Sequence, residues 1–314
     1  MKKTASLALI LALMLSFSSC GQTQTPETDV TTSAATVSDT SAETEAAMNW
    51  NVYNGYYFDK NETLDEASVT KFADKLETLY KNQLSDASNV WYSVVPDRAY
   101  YTDGMTDFDY GRMFELLSQG ITDIPYIDIT EALSLDCYYK TDLHWRQEKL
   151  FGVTDTLGSA MGFSVSEDDF TVNTLDNYIG MYSGAGVEPE TLYYLTSEAI
   201  DSASADDFQY PALTGIYSED ALTSKTPYDV FLHGATPLVT ITNDNAETDR
   251  KLVIFRDSFT SSLAPLLAGE YKTITLVDIR YMVSSLLPDY VDFTGADVLF
   301  MYNVAVINRS TMLR

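Results

Sequence analysis

The chain has 314 residues, 46 of them Asp or Glu against 19 Lys or Arg, for a formal net charge of −27. A surface this acidic repels phosphate backbones, so nucleic acid is excluded as a partner. The length suits one α/β domain, or one carrying a sizeable insertion.

The N-terminus reads as an export signal. Lys2 and Lys3 form a charged n-region, and residues 5–17 are an apolar run too short to span a bilayer once processed. Ser18, Ser19 and Cys20 follow. This stretch resembles the lipobox of bacterial lipoproteins, with Phe17 where Leu is usual; plain secretory cleavage is the alternative. The resemblance implies that Cys20 carries a diacylglyceryl group, and two acyl chains suffice for stable anchoring. The expected location is the outer face of the cell membrane. Residues 21–48 are rich in Thr, Ser, Ala and Glu without hydrophobic period. They cannot offset their ordering entropy and read as a flexible tether reaching on the order of 30 Å. The folded part is expected over 49–314. Losing Lys2 and Lys3 takes the net charge from −27 to −29. With Cys20 lipidated, Cys137 has no intramolecular partner and reads as a small buried hydrophobe.

Within the folded part, helices and strands alternate. Residues 65–84 place Val69, Phe72, Ala73, Leu76, Leu79 and Tyr80 on one helical face. Residues 89–95 predict a strand, stopped by Pro96. A helix is expected over 110–117, a short strand over 125–129 and a helix over 145–161, with Leu150, Val153 or Thr154, Leu157 and Met161 in phase. Residues 163–236 break this rhythm with Tyr, Asp, Ser and Gly. They read either as an insertion of loops and short strands that covers part of a site, or as irregular edge structure.

After that comes an apolar run, 252–255, buried on both faces, then Arg256-Asp257-Ser258 and a helical spacing over 261–267. Strands over 272–277 and 297–302 flank a short helix over 282–287. Strands separated by helices imply right-handed crossovers and a mostly parallel sheet between helical layers, a three-layer α/β/α sandwich. Ligands on such sheets bind beyond the strands' carboxyl ends, where Pro96-Asp97-Arg98, Ser258 and Arg280 fall.

Two short stretches carry chemistry. Ser258 sits where a strand breaks into a helix, a place that suits a nucleophile because oxyanion donors wait there; Asp257 or Ser258 as a plain N-cap is the competing reading. Asp142 stands two residues before His144, one of two histidines in the chain. A carboxylate so placed can fix the imidazole tautomer and leave Nε2 as a base; a capping Asp142 or Thr141 at the start of a helix is the alternative. Asn243-Asp244-Asn245 with Asp249 offers oxygen ligands but lacks the glycine and glutamate of a calcium loop. It reads as a solvated acidic loop between strands, and no metal or cofactor is expected.

Taken together, Tyr139-Lys140-Thr141-Asp142-Leu143-His144-Trp145, Phe255-Arg256-Asp257-Ser258-Phe259 and Val277-Asp278-Ile279-Arg280-Tyr281 resemble the DHHW family. That family is similar to the SGNH-hydrolase-like domains of alginate O-acetyltransferases of the AlgX/AlgJ type. The likeness runs from about Trp50 to the end. It implies an SGNH-hydrolase-like fold and a triad of Asp142, His144 and Ser258. Leu143 replaces the first histidine of the namesake motif, and Arg256 stands where SGNH enzymes carry glycine. Asn303, Arg280, Tyr281 and Arg256 are candidate oxyanion or substrate groups, with Arg280 otherwise pairing a carboxylate. Trp145, Tyr138, Tyr139 and Tyr281 either stack on sugar rings or pack in the core. The resemblance implies acyl transfer: an O-acetyltransferase or esterase on cell-envelope or extracellular polysaccharide. A transferase outside the cell would need a membrane acyl-relay protein to supply the group. A catalytically silent lipoprotein that binds glycan or an assembly partner is the alternative.

Overall fold

The computed structural model describes residues 50–59, 62–184 and 186–314. The signal, Cys20 and the whole of the tether lie outside them. In chain order the elements are β1 (Trp50–Tyr53), β2 (Tyr56–Asp59), α1 (Glu66–Gln83), β3 (Asn89–Val95), α2 (Tyr110–Gly120) and α3 (Phe151–Met161). Then come β4 (Thr171–Tyr178), β5 (Glu190–Thr196), α4 (Glu198–Ser202), β6 (Ser204–Asp207), β7 (Leu238–Thr242) and β8 (Lys251–Arg256). The chain closes with α5 (Thr260–Leu263), β9 (Thr273–Val277), β10 (Asp297–Asn303) and α6 (Val304–Ile307).

A six-stranded sheet in the order β3-β10-β8-β9-β7-β6 forms the centre. The first four strands are parallel, and β7 and β6 add antiparallel to the β9 edge. Both faces are covered, as the continuous apolar strands require. Leu252, Ile254, Leu299 and Met301 pack on one side with Val153 and Leu157 of α3. Val253, Phe255, Val298 and Phe300 pack on the other with Phe72 and Leu76 of α1 and Met113 and Leu117 of α2. The parallel register sets Asn303 opposite Val95 and Met301 opposite Arg256. The carboxyl ends of β3, β10 and β8 therefore meet at one edge, and Arg98 and Ser258 emerge there.

Several elements differ from expectation, each for a local reason. The helix expected from 145 begins at Phe151, after a 3-10 turn over Gln147–Lys149. Trp145 instead pairs with Tyr138 in a bridge. Its Nε1 donates to Phe259 O and Ser262 Oγ, each at 2.9 Å, and the Gln147 amide donates to Ser262 O and accepts from Leu195 N–H. These tertiary bonds hold 145–147 out of a helix. The strand expected over 125–129 reduces to one parallel bridge, Tyr92 with Tyr126. The helix expected over 261–267 is one α turn followed by a 3-10 turn, Ala264–Leu267, because Pro265 cannot donate an N–H. The span 163–236 is more than an insertion: it holds the separate β4–β5 hairpin, but its β6 is an edge strand of the central sheet. The β1–β2 hairpin, turned by Asn54 and Gly55 at positive φ, was not expected at all.

Candidate active site

Ser258 lies two residues past the end of β8. The buried Asp257 carboxylate shapes that bend by accepting from Phe259 N–H at 3.0 Å and Asn303 N–H at 2.6 Å. Burial pushes its pKa up, against the pull of Arg280 and these two bonds. Asp257 is thus a turn residue tying β8 to β10, not a helix cap. Ser258 itself is half-buried and free to face outward.

Residues 139–144 form no regular element, so their backbone groups need partners from elsewhere. Arg98, buried just past β3, donates to the carbonyls of Tyr139 (2.9 Å), Lys140 (3.3 Å), Asp142 and Tyr57. Its guanidinium also lies over the rings of Phe58 and Tyr182. From the other direction Glu190 accepts from the Lys140 and Thr141 N–H groups and from Thr141 Oγ1. One side chain takes the carbonyls and the other takes the amides, and the loop is fixed between them.

That loop carries Asp142, which is 5 % exposed. Its Oδ1 accepts from His144 N–H at 3.0 Å and faces His144 Nδ1 at 2.6 Å. Its Oδ2 accepts from Tyr178 OH at 2.9 Å and Met181 N–H at 3.1 Å. Burial works to raise its pKa, but the adjacent His144 and these bonds outweigh it and hold the carboxyl at about 2. Gly180 makes this possible: a Cβ there would stand 2.4 Å from Asp142 Cβ and Oδ2 and 2.6 Å from Thr141 O.

His144 Nε2 lies 2.7 Å from Ser258 Oγ. A continuous chain of contacts thus runs from Asp142 through His144 to Ser258, its second link joining residues 114 apart in sequence. The imidazole is sandwiched between Tyr228, stacked with centroids 4.0 Å apart, and Phe259 at 5.0 Å. Tyr228 is held in turn by Ser262 Oγ at 2.9 Å. His144 and Ser258 line a cavity of about 300 Å³ whose walls include Leu143, Ile179, Met181, Tyr228 and Phe231. Tyr178, Gly180, Met181 and Tyr228 were missed as site residues by sequence reasoning. All four come from the aperiodic 163–236 span, where the available signals were its density of Tyr and Gly and, for Tyr228, the stretch Tyr228-Asp229-Val230-Phe231-Leu232, which also fits the DHHW resemblance.

The other candidates lie elsewhere. Asn303 caps α6 through Ala305 N–H and donates to Val95 O at 3.1 Å; it lines a different cavity, with Asp97 and Arg98. Arg280 forks onto Asp278, with Nη2 at 2.6 Å and Nε at 2.9 Å, so it is a carboxylate pair. Tyr281 is 52 % exposed, with Arg280 over its ring, outside the cavity of Ser258. Arg256 is fully buried and bonds Ser261 Oγ. Trp145, Tyr138 and Tyr139 are core residues, and Cys137 is buried and unpaired. In the acidic loop, Lys272 lies near Asp244 and Asp249. Among the described residues no cluster of His, Cys, Asp and Glu is arranged to hold a metal ion, and no helix is long and apolar enough to cross a membrane.

No family model matches the chain, and no curated protein matches it. Solved structures do. A DHHW family protein from Eubacterium siraeum DSM 15702 superposes with a TM-score of 0.67 at 20 % identity, over 82 % of this chain and 90 % of that one. The fold is that of a DHHW family protein. Bacillus cereus PatB1 superposes with a TM-score of 0.64 at 19 % identity, over 82 % of this chain and 96 % of its own. The same protein carrying a sulfonyl adduct gives 0.63 at 18 % identity, over 82 % and 97 %. At these identities the likeness establishes the fold, and the DHHW resemblance read from the three motifs agrees with it.

Proposed function

We propose that this protein is a Ser-His-Asp acyl-transfer enzyme on an SGNH-type three-layer α/β/α fold. It acts as an O-acyl, in particular O-acetyl, transferase or esterase on cell-envelope or extracellular polysaccharide. The observation that carries the reading is the chain of two short contacts, Asp142 to His144 Nδ1 at 2.6 Å and His144 Nε2 to Ser258 Oγ at 2.7 Å, at the wall of a cavity. Asp142, ionised throughout the neutral range, accepts from Nδ1–H and so leaves Nε2 without a proton, facing the serine. His144 takes the Ser258 proton as Oγ attacks the ester carbonyl. Collapse of the tetrahedral intermediate expels the alcohol, which receives that proton from His144. A sugar hydroxyl or water then attacks the acyl-enzyme by the same steps in reverse.

The export signal and Cys20 support a mature protein anchored outside the membrane by lipid, with its polysaccharide within reach of the tether. As a transferase it would take its acyl group from a membrane acyl-relay partner. The reading is tested by adding an aryl acetate, with and without an acceptor glycan, and following both aryl release and acetyl incorporation. Turnover that disappears in His144→Ala supports it. A wild-type protein inert towards every ester offered would favour the silent glycan-binding lipoprotein instead.

A further inference from the structure

Oxyanion chemistry needs donors aimed at the developing charge, and Asn303, the obvious side-chain candidate, is committed to Val95 O and to its cap. Another hydroxyl is better placed. Ser261 follows Ser258 by three residues, one helical turn on, so the two side chains share a face, and both line the cavity that contains His144. Ser261 is 2 % exposed, and its Oγ is 2.7 Å from Arg256 Nη1. A guanidinium has donors only, so Arg256 fills a lone pair of Ser261 Oγ and leaves the serine's own proton to be donated elsewhere. Nε and Nη2 of Arg256 have no partner among the described residues. A fully buried cation with two unpartnered nitrogens is costly to keep, and it lies directly behind the serine turn.

We propose that the Ser261 hydroxyl, polarised by Arg256, is a side-chain donor of the oxyanion hole for acyl transfer at Ser258. The inference rests on the acyl-transfer reading and deepens it. As Ser258 Oγ bonds to the carbonyl carbon, the carbonyl π pair moves onto oxygen, and Ser261 O–H donates a hydrogen bond to that oxygen while keeping its proton. The pair returns when the intermediate collapses, so Ser261 ends unchanged. Arg256 is a positioning residue: it orients the hydroxyl and, by charge-assisted polarisation, makes it a stronger donor than an isolated serine. The positive charge is buried where negative charge develops, and low local polarity strengthens that attraction.

The test compares wild type, Ser261→Ala and Ser261→Thr on p-nitrophenyl acetate, with kcat and KM resolved and thermal midpoints recorded. Loss of a single oxyanion donor lowers kcat by roughly 10²–10³-fold. The expected result is that loss in Ser261→Ala, with KM within about threefold although the midpoint falls because buried Arg256 loses its hydroxyl partner, and kcat within about tenfold of wild type in Ser261→Thr, which restores the hydroxyl. A merely structural serine would shift the midpoint and leave the kcat of the folded protein intact, which overturns the inference. So does a Ser261→Thr variant as slow as Ser261→Ala. An active wild type with an equally active Ser261→Ala overturns this inference alone; an inert wild type overturns the acyl-transfer reading and the inference together.

Discussion

The imidazole of His144 lies flat on the ring of Tyr228, with centroids 4.0 Å apart and planes within 8°. The contact fixes the ring plane, and in the proposed mechanism the π face would favour the imidazolium formed as Ser258 gives up its proton. Such a face is worth about 0.5–2 kcal/mol to a neighbouring cation. Tyr228→Leu should therefore lower kcat/KM by roughly two- to thirtyfold. Tyr228→Phe keeps the ring and should stay near wild type. A folded Tyr228→Leu variant with the kcat/KM of wild type would refute this role.

Gly180 and Asp142 approach so closely that any side chain at 180 must displace the carboxylate. Gly180→Ala is expected to fold, because β4 and β5 are untouched, yet to leave His144 without its orienting acceptor. Loss of the corresponding acceptor in serine hydrolases costs about 10⁴ in kcat, so a fall of roughly 10²–10⁴ is expected here, visible in ester turnover at saturating substrate. Undiminished kcat would show that Asp142 does not orient the imidazole.

Arg98 holds four carbonyls, three of them on the loop that carries Asp142. Arg98→Met fills the space and strands the carbonyls of Tyr139, Asp142 and Tyr57, while Lys140 O keeps the Tyr57 N–H at 3.1 Å. Each buried unpaired acceptor costs about 1–3 kcal/mol, so a destabilisation of at least about 3 kcal/mol is expected by denaturant titration. Activity of the fraction still folded should fall as well. Equal stability of the two proteins would mean that water replaces the guanidinium.

The pH dependence has a defined sign. The Asp142 carboxyl drops on folding from its ordinary 3.8 to about 2. Its contribution to stability is therefore complete above pH 4 and is lost as pH falls from about 4 through about 2, roughly 2–3 kcal/mol in all. Asp97 and Asp257, whose pKa values burial raises, act in the opposite direction and are common to both proteins compared. The stability gap between wild type and Asp142→Asn should accordingly narrow over that window. A gap independent of pH would contradict the assignment.

What was legible in the sequence follows the range of the forces involved. α1 and β8 were readable because burial on one stripe or on two faces writes a period into neighbouring residues. Asp142, His144 and Ser258 stood out as short local patterns. The Asn54-Gly55 turn was equally readable, since that pair suits the turn of a hairpin, and was overlooked. The rest was set by distant contacts. Trp145 and Gln147 have helical neighbours but are held out of the helix by Phe259, Ser262 and Leu195. β6, with the sequence Ser-Ala-Asp-Asp, carries no strand pattern and exists because β7 offers an edge. Tyr178, Gly180 and Met181 matter only through their approach to Asp142, some forty residues away, and nothing periodic marks them.

The most direct measurement is the intact mass of the protein after treatment with a fluorophosphonate or sulfonyl fluoride, followed by peptide mapping. The account predicts one stoichiometric adduct on Ser258, absent in Ser258→Ala and strongly slowed in His144→Ala. An unmodified wild-type protein, or an adduct that persists in folded Ser258→Ala, would contradict it.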